Sequence, residues 1–245
     1  MRIFQRCALA AAAALVALIT GAAGSAAQVV VFDQVGLLGA PVSLAVRTTS
    51  LFAADGGRLV DLSLDGEPLG RLMTGADGFG YRRVTPQRRG LLKIEAAADD
   101  HRDEGRLLVL APEEEAVLIE LETVLRSVVA GAAEREDCRN GLEAIGRRFR
   151  LIYVARWLGA DWARARIAPA GLPDSVVLTW RRAALLKSLQ DQGVRVTALV
   201  GSAAMAAAGR SRVERRFSFE KTRDAAVVTR WEEISRNLDP AAANR

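Results

Sequence analysis

The sequence predicts two domains, an all-β sandwich followed by an α/β domain with a parallel sheet. Three observations predict it. Between Gln28 and Leu110 short apolar runs with partial period-two alternation are separated by Gly, Asp and Pro turn signals. From Ala116 onward strand-like runs alternate with helix-length segments, which implies parallel strands joined by right-handed crossovers. Between the two, "APEEEA" at 111–116 supplies a proline and three acids, a boundary signal.

The chain opens with "MRIFQRC", a small apolar run "ALAAAAALVALIT", and small residues at Ser25 and Ala27 before Gln28. A basic start, an apolar stretch and a small-residue cleavage site read as a secretory signal peptide over 1–27, in preference to an uncleaved anchor. The expected location is periplasmic or secreted, with no transmembrane span after cleavage. Cleavage removes Arg2 and Arg6, so the formal charge falls from +5 by two to +3. Cys7 leaves as well, and Cys138 alone cannot form an intrachain disulfide.

In the first domain, 28–111, the expected strands are "VVVFD", "PVSLAVRTTSL", "RLVDLSLDG", "FGYRRVTP", "GLLKIEAA" and "GRLLVLAP". Gly66 after Asp65 and Gly78 after Asp77 allow positive φ where a hairpin requires it. In the second, 112–240, "AVLIELE" and "RLIYVAR" read as buried strands with "EREDCRNGLEAIGRRF" as the helix between them. "RRAALLKSLQDQG" reads as a helix closed by Gly193, "VRVTALVG" as a third strand, and "AAVVTRWEEISRNL" as a last amphipathic helix. Ligands of such sheets sit at the carboxyl ends of the strands, where Glu120 falls.

Other chemistry is sparse. Cys138 reads as a small buried residue, and His101 in "ADDHRDEG" as a loop residue, so neither a zinc site nor a nucleophilic triad is assembled. Trp157, Trp162, Trp180 and Trp231 read as packing residues. Arginines gather in "GRRFR", "WARARIA" and "RSRVERR", where solvated helix faces compete with a surface for anionic lipid or polysaccharide. The export signal and the few aromatics argue against nucleic acid.

The stretch "LSLDGEPLGRLMTGADGFGYRRVTPQRRGLLKIEAA" resembles bacterial immunoglobulin-like and transthyretin-like modules. Over 117–235, the runs "FRLIYVARW", "GLPDSVVLTWRRAALLKSL" and "VRVTALVG" resemble, in order and spacing, the lipin-like phosphatidate phosphatase branch of the haloacid dehalogenase superfamily. That resemblance implies a Rossmann-like, haloacid dehalogenase-like domain. It also implies magnesium-dependent phosphoryl transfer through an aspartate nucleophile, an aspartate general acid/base, a Ser or Thr on phosphate, a Lys, and further acids on the metal.

Each implied position departs from that pattern. Glu120 and Glu122 stand for the aspartates, each longer by a methylene, which weakens in-line attack without abolishing it. Ala155 stands for the phosphate-binding hydroxyl, with Arg156 next to it. Arg181 stands for the lysine, a planar fork in place of a point charge, while Lys187 lies deeper in its helix as a surface residue. Ser202 stands for the metal-binding acid, followed by "AAMAAAG", which reads as a helix opening packed on the sheet. Magnesium needs oxygen ligands, so no metal or cofactor is expected, and Glu120 with Glu122 is the one pair left to hold one.

Three readings follow. The first is an exported pseudophosphatase serving binding or scaffolding in the cell envelope, with an envelope protein as partner. The second is a weak or divergent magnesium-dependent phosphatase on phosphatidate or another phosphomonoester, using Glu120, Glu122, Arg156 and Arg181. The third is an arginine-rich binder of anionic lipid or polysaccharide.

Overall fold

The computed structural model describes residues 28–50 and 53–239, so the signal-peptide reading of 1–27 lies outside the described residues. Residues 28–110 form two facing sheets. In the first, β3 (Val42–Ser50) pairs antiparallel with β1 (Gln28–Val31), β4 (Ala53–Ala54) and β7 (Phe79–Val84). In the second the order is β2 (Gln34–Leu37), β9 (His101–Leu110), β8 (Gly90–Ala98), β5 (Leu59–Leu64), β6 (Glu67–Met73). Alternation predicts the inner face: Leu44, Val46, Val60, Ile94, Leu107 and Val109 are buried together between the sheets. Between β5 and β6, Asp65 (φ 54°) and Gly66 (φ 84°) make the expected two-residue turn with both φ positive.

Three strands are absent from the sequence reading. The segment "EPLGRLM" carries Pro68 and Gly70 and resembles a turn, but it runs along the exposed edge as β6, where a missing N–H is tolerated. The four-residue β2 and two-residue β4 are too short to show a period. His101 is a second correction. It opens β9 opposite Ala98, the chain reversing through Asp99 (φ 51°) and Asp100, so the acidic cluster is a tight turn and a strand start.

The second half is a six-stranded, wholly parallel sheet in the order β12 (Val177–Thr179), β11 (Arg150–Ala155), β10 (Glu115–Glu120), β13 (Arg195–Val200), β14 (Arg215–Ser218), β15 (Ala226–Val227). Six helices accompany it: α1 (Leu121–Ala130), α2 (Ala132–Gly146), α3 (Ala160–Ile167), α4 (Ala183–Asp191), α5 (Ala203–Ala208) and α6 (Trp231–Leu238). The short β12, β14 and β15 escape pattern reading. Helix α1 also corrects it, since "LETVLRSVVA" follows β10 with no turn, and the last helix starts only at Trp231 because "AV" before it is β15. No described helix is long and apolar enough to cross a membrane.

Each face of the sheet is covered. Val117 and Ile119 pack with Val124 of α1, Leu142 of α2, and Trp231 and Ile234 of α6. Helices α2 and α6 cross closely at Gly141, where a Cβ would stand 2.5 Å from that of Trp231. On the other face Leu118 and Ile152 meet Leu186 and Leu189 of α4, Met205 of α5, and Val35, Leu108 and Leu110 from the sandwich. Strand β9 therefore feeds two cores, with Leu107 and Val109 turned inward to the sandwich and Leu108 and Leu110 into the α/β layer.

Polar contacts fasten the same junction. The buried Asp33 carboxylate accepts the backbone N–H of Val177 at 2.7 Å and of Arg106 at 2.8 Å, and lies 3.4 Å from Arg164. Burial raises the Asp33 pKa above the ordinary carboxylate value, opposed by the charge of Arg164 and the two backbone N–H groups. Within "APEEEA", Glu114 accepts the Ala111 N–H at 2.8 Å and two bonds from Arg150. This connection is tied to β11 by charge-assisted bonds.

Candidate functional site

Strand β10 lies at the switch point of the sheet, between β11 and β13, and the crevice belongs at their carboxyl ends. Glu120 is the last residue of β10 and is 2% exposed. Its Oε1 accepts the Ser202 hydroxyl at 3.0 Å, and its Oε2 accepts the Thr123 hydroxyl at 3.1 Å and the backbone N–H of Ser202. Arg156, one residue beyond β11, places Nη1 3.6 Å from Glu120 Oε1 and donates to Ser202 Oγ at 2.9 Å. Its guanidinium also lies 4.5 Å over the ring of Trp157.

Glu122 does something different. Because α1 starts at Leu121, Glu122 stands in the first helical turn and reaches across to the loop after β11. Its Oε1 accepts the backbone N–H groups of Arg156 at 2.8 Å, Trp157 at 2.7 Å and Leu158 at 3.2 Å. Consecutive N–H groups converging on one point form an anion-binding nest, and here a side chain of the same chain fills it. The other oxygen, Oε2, is buried without a hydrogen-bond partner among the described residues.

Ser202, Arg156, Glu120 and Glu122 are thus brought together. Ala155 ends β11 beside them, buried, its backbone carbonyl accepting the Trp180 N–H at 2.8 Å. Arg181 is not part of the group. It stands exposed before α4, lines a cavity between the two halves of the chain, and makes no hydrogen bond or ion pair with Glu120 or Glu122 among the described residues. Lys187 is a surface residue as expected, paired with Asp191.

Three members were missed. Arg126, one turn beyond Glu122 on α1, donates to Thr123 Oγ1 at 3.1 Å and pairs with Glu220 at 3.3 Å. Glu220, just past β14, accepts the Ala203 N–H at 2.9 Å at the start of α5. Thr123, which follows the acidic pair, is the only one with a sequence signal; Arg126 and Glu220 become visible once α1 and β14 are recognised. Beyond Thr123 and Arg126 a cavity of about 580 Å³ continues toward Phe219 and Trp231.

This donor set does not fit magnesium. That ion requires octahedral oxygen ligands, whereas both Glu120 oxygens and Glu122 Oε1 face hydrogen donors, and a guanidinium stands where a cation would be repelled. Glu122 Oε2 is a single remaining acceptor. Among the described residues no three His, Cys, Asp or Glu side chains are grouped to hold a metal. Glu120 accepts three hydrogen bonds and stands beside the Arg156 guanidinium, an arrangement suited to holding three strand ends together.

Elsewhere the outcomes are mixed. Cys138 is buried in α2, and its thiol is pushed up to about 12 by burial and by Asp137. Trp231 is core on one face of the sheet and Trp180 packs, half-buried, against the core of the other, but Trp157 is 76% and Trp162 48% exposed, the latter under Arg166. Many arginines of the basic stretches have internal partners. Arg148 pairs with Asp239, Arg150 with Glu114 and Arg210 with Asp224, while Arg215 and Arg216 donate to backbone carbonyls.

No protein-family model matches the chain, and no curated protein matches it. Solved structures similar to it include fibronectin(III)-like modules of Clostridium thermocellum CbhA, 18% identical over 36% of this chain and 48% of that one, TM-score 0.27. An IG27 protein domain is 12% identical over 35% of this chain and 98% of that one, TM-score 0.28. A carbohydrate acetylesterase from Xanthomonas citri is 10% identical over 83% of this chain and 71% of that one, TM-score 0.37. Immunoglobulin-like and fibronectin-like sandwich modules are therefore among the similar structures, at TM-scores too low to carry an argument.

Proposed function

We propose that this chain is an exported two-domain protein whose second domain is a catalytically inactive, haloacid dehalogenase-like pseudophosphatase, serving binding or scaffolding in the cell envelope. The proposed organisation is a signal peptide over 1–27, an immunoglobulin-like sandwich over 28–111 and the pseudophosphatase over 112–240. One observation carries the reading: the buried Glu120 carboxylate, at the nucleophile position that the resemblance implies, is neutralised by Arg156 and hydrogen-bonded by Ser202 and Thr123. Ser202, standing where that resemblance implies a metal-binding acid, donates its hydroxyl to Glu120, and Ala155 offers no hydroxyl. The shared core of Val35, Leu108 and Leu110 supports a scaffold that presents both halves in one orientation.

The test is turnover of phosphatidate and of an aryl phosphate by the chain from Gln28 onward, with and without magnesium, beside Glu120→Gln. The reading predicts no turnover above that variant. Magnesium-dependent turnover that Glu120→Gln abolishes would replace it with the phosphatase reading.

A further inference from the structure

The groove between the sandwich and α4 has a volume of about 690 Å³, within the range of ligand sites at domain junctions. One wall carries a row of aromatic rings from the sandwich. Phe32 and Phe79 lie 5.8 Å apart at 20°, and Phe79 and Tyr81 lie 6.1 Å apart at 9°, with Tyr81 at the end of the row 63% exposed. Phe32 and Phe79 are half-buried, so the row of near-parallel rings opens to water at its Tyr81 end, where an apolar ring face is left uncovered.

Cations without acidic partners surround this row. Arg83 continues β7 two residues beyond Tyr81, and Arg181 faces the groove from the start of α4; both are exposed and make no ion pair among the described residues. Arg47 lies 5.2 Å over the Phe79 ring and likewise has no ion pair among the described residues. The one acid of the lining, Asp33, is buried at the floor and held by Val177, Arg106 and Arg164, so it does not oppose an incoming anion. Ser43, Ser188 on α4 and Gln192 just past its end add groups able to bond hydroxyls.

We propose that this groove binds a segment of an acidic glycan, a chain of uronate-type sugars. A pyranose presents an apolar C–H face, which the electron-rich faces of Tyr81 and its neighbours attract. Its hydroxyl edge matches the serine and glutamine groups, and its carboxylate matches the bidentate fork of arginine. A bilayer is the poorer fit, because the cations line a concave groove and a flat headgroup surface does not enter it. The inference does not depend on whether Glu120 is catalytic, so phosphatase activity would overturn the proposed function and leave this site untouched.

The experiment is calorimetric titration of the chain from Gln28 onward with an oligogalacturonate, and with the same oligosaccharide methyl-esterified to remove its charge. Saturable binding is expected, weakened at least about tenfold by esterification, by Tyr81→Ala and by the Arg83→Ala/Arg181→Ala pair, the scale of one charged hydrogen bond. Added salt should weaken it too. The three side chains are exposed, so the variants should keep the parent thermal midpoint; the ester comparison and salt series need no variant at all. Absence of oligogalacturonate binding, equal binding of the ester, or binding indifferent to both variants would overturn the proposal. So would arginine-dependent binding to phosphatidylglycerol vesicles without binding of the oligosaccharide, which would assign the groove to a membrane.

Discussion

The structure predicts that replacing Glu120 by aspartate destabilises the protein. The carboxylate withdraws by one C–C bond, about 1.5 Å. Contacts now at 3.0 Å to the Ser202 hydroxyl and 3.1 Å to the Thr123 hydroxyl then open beyond the hydrogen-bonding limit of about 3.2 Å. The backbone N–H of Ser202 loses its acceptor as well. With the site 2% exposed, water does not readily take the vacated positions. Each bond to a charged acceptor contributes about 1.5–3 kcal/mol, and relaxation of the six-residue α5 recovers part of the loss, so a net cost of about 3 kcal/mol is expected. With a urea dependence of about 2 kcal/mol per molar, the midpoint falls by about 1.5 M. Equilibrium urea unfolding followed by the fluorescence of buried Trp231 measures it, with aryl phosphate turnover recorded on the same sample. An unchanged midpoint would refute the claim that these bonds hold the strand ends together.

Four further outcomes follow from the same contacts. Glu122→Ala should empty the nest of Arg156, Trp157 and Leu158 N–H groups, so that added phosphate raises the variant's thermal midpoint while leaving the parent's unchanged; equal responses would refute the nest. Gly141→Ala should cost about 1–3 kcal/mol in chemical denaturation, because the new Cβ meets Trp231 at the α2–α6 crossing. Burial acts to raise the Glu114 pKa, but the bonds from Arg150 and Ala111 and the charges of Arg150 and Arg89 outweigh it and hold it below 4.5. Its stabilisation is therefore present above pH 4.5 and lost as pH falls through the lowered value, and Glu114→Gln should be the less stable protein at neutral pH, with the difference closing in acid. Asp33 runs the opposite way: its raised pKa means that ionisation opposes folding, so the parent should gain on Asp33→Asn as pH falls from neutrality toward 3.8.

The long strands were legible because each buries one or both faces and so carries a clean apolar pattern, as in "VLIE" of β10 and "LIYVA" of β11. Glu120 was legible as a strand end, whereas Arg156 and Ser202 were placed by the resembled motifs; the parallel pairing of β10 with β11 and β13 is what brings the three together. The occupation of Glu122 was not legible, because its three donors are backbone N–H groups that no residue type announces. Glu220 was hidden by the shortness of β14, and α1 by a strand-like apolar run continuing directly into it. Arg181 was placed by counting along a resembled motif, but β12 ends at Thr179 and the chain turns toward α4, so its side chain serves the groove. The aromatic row escaped because Phe32 lies far in sequence from Phe79 and Tyr81, and only the pairing of β1, β3 and β7 aligns them.

The most direct test of the central claim, that the acidic pair is a closed structural cluster, is thermal unfolding of the chain from Gln28 onward in rising magnesium, beside Glu120→Gln. A ligand that binds the folded state raises its midpoint by mass action. The account predicts a midpoint indifferent to millimolar magnesium in the parent, and a lower but equally indifferent one in the variant. A magnesium-dependent rise in the parent that Glu120→Gln abolishes would show a carboxylate free to hold the ion, and would contradict the account.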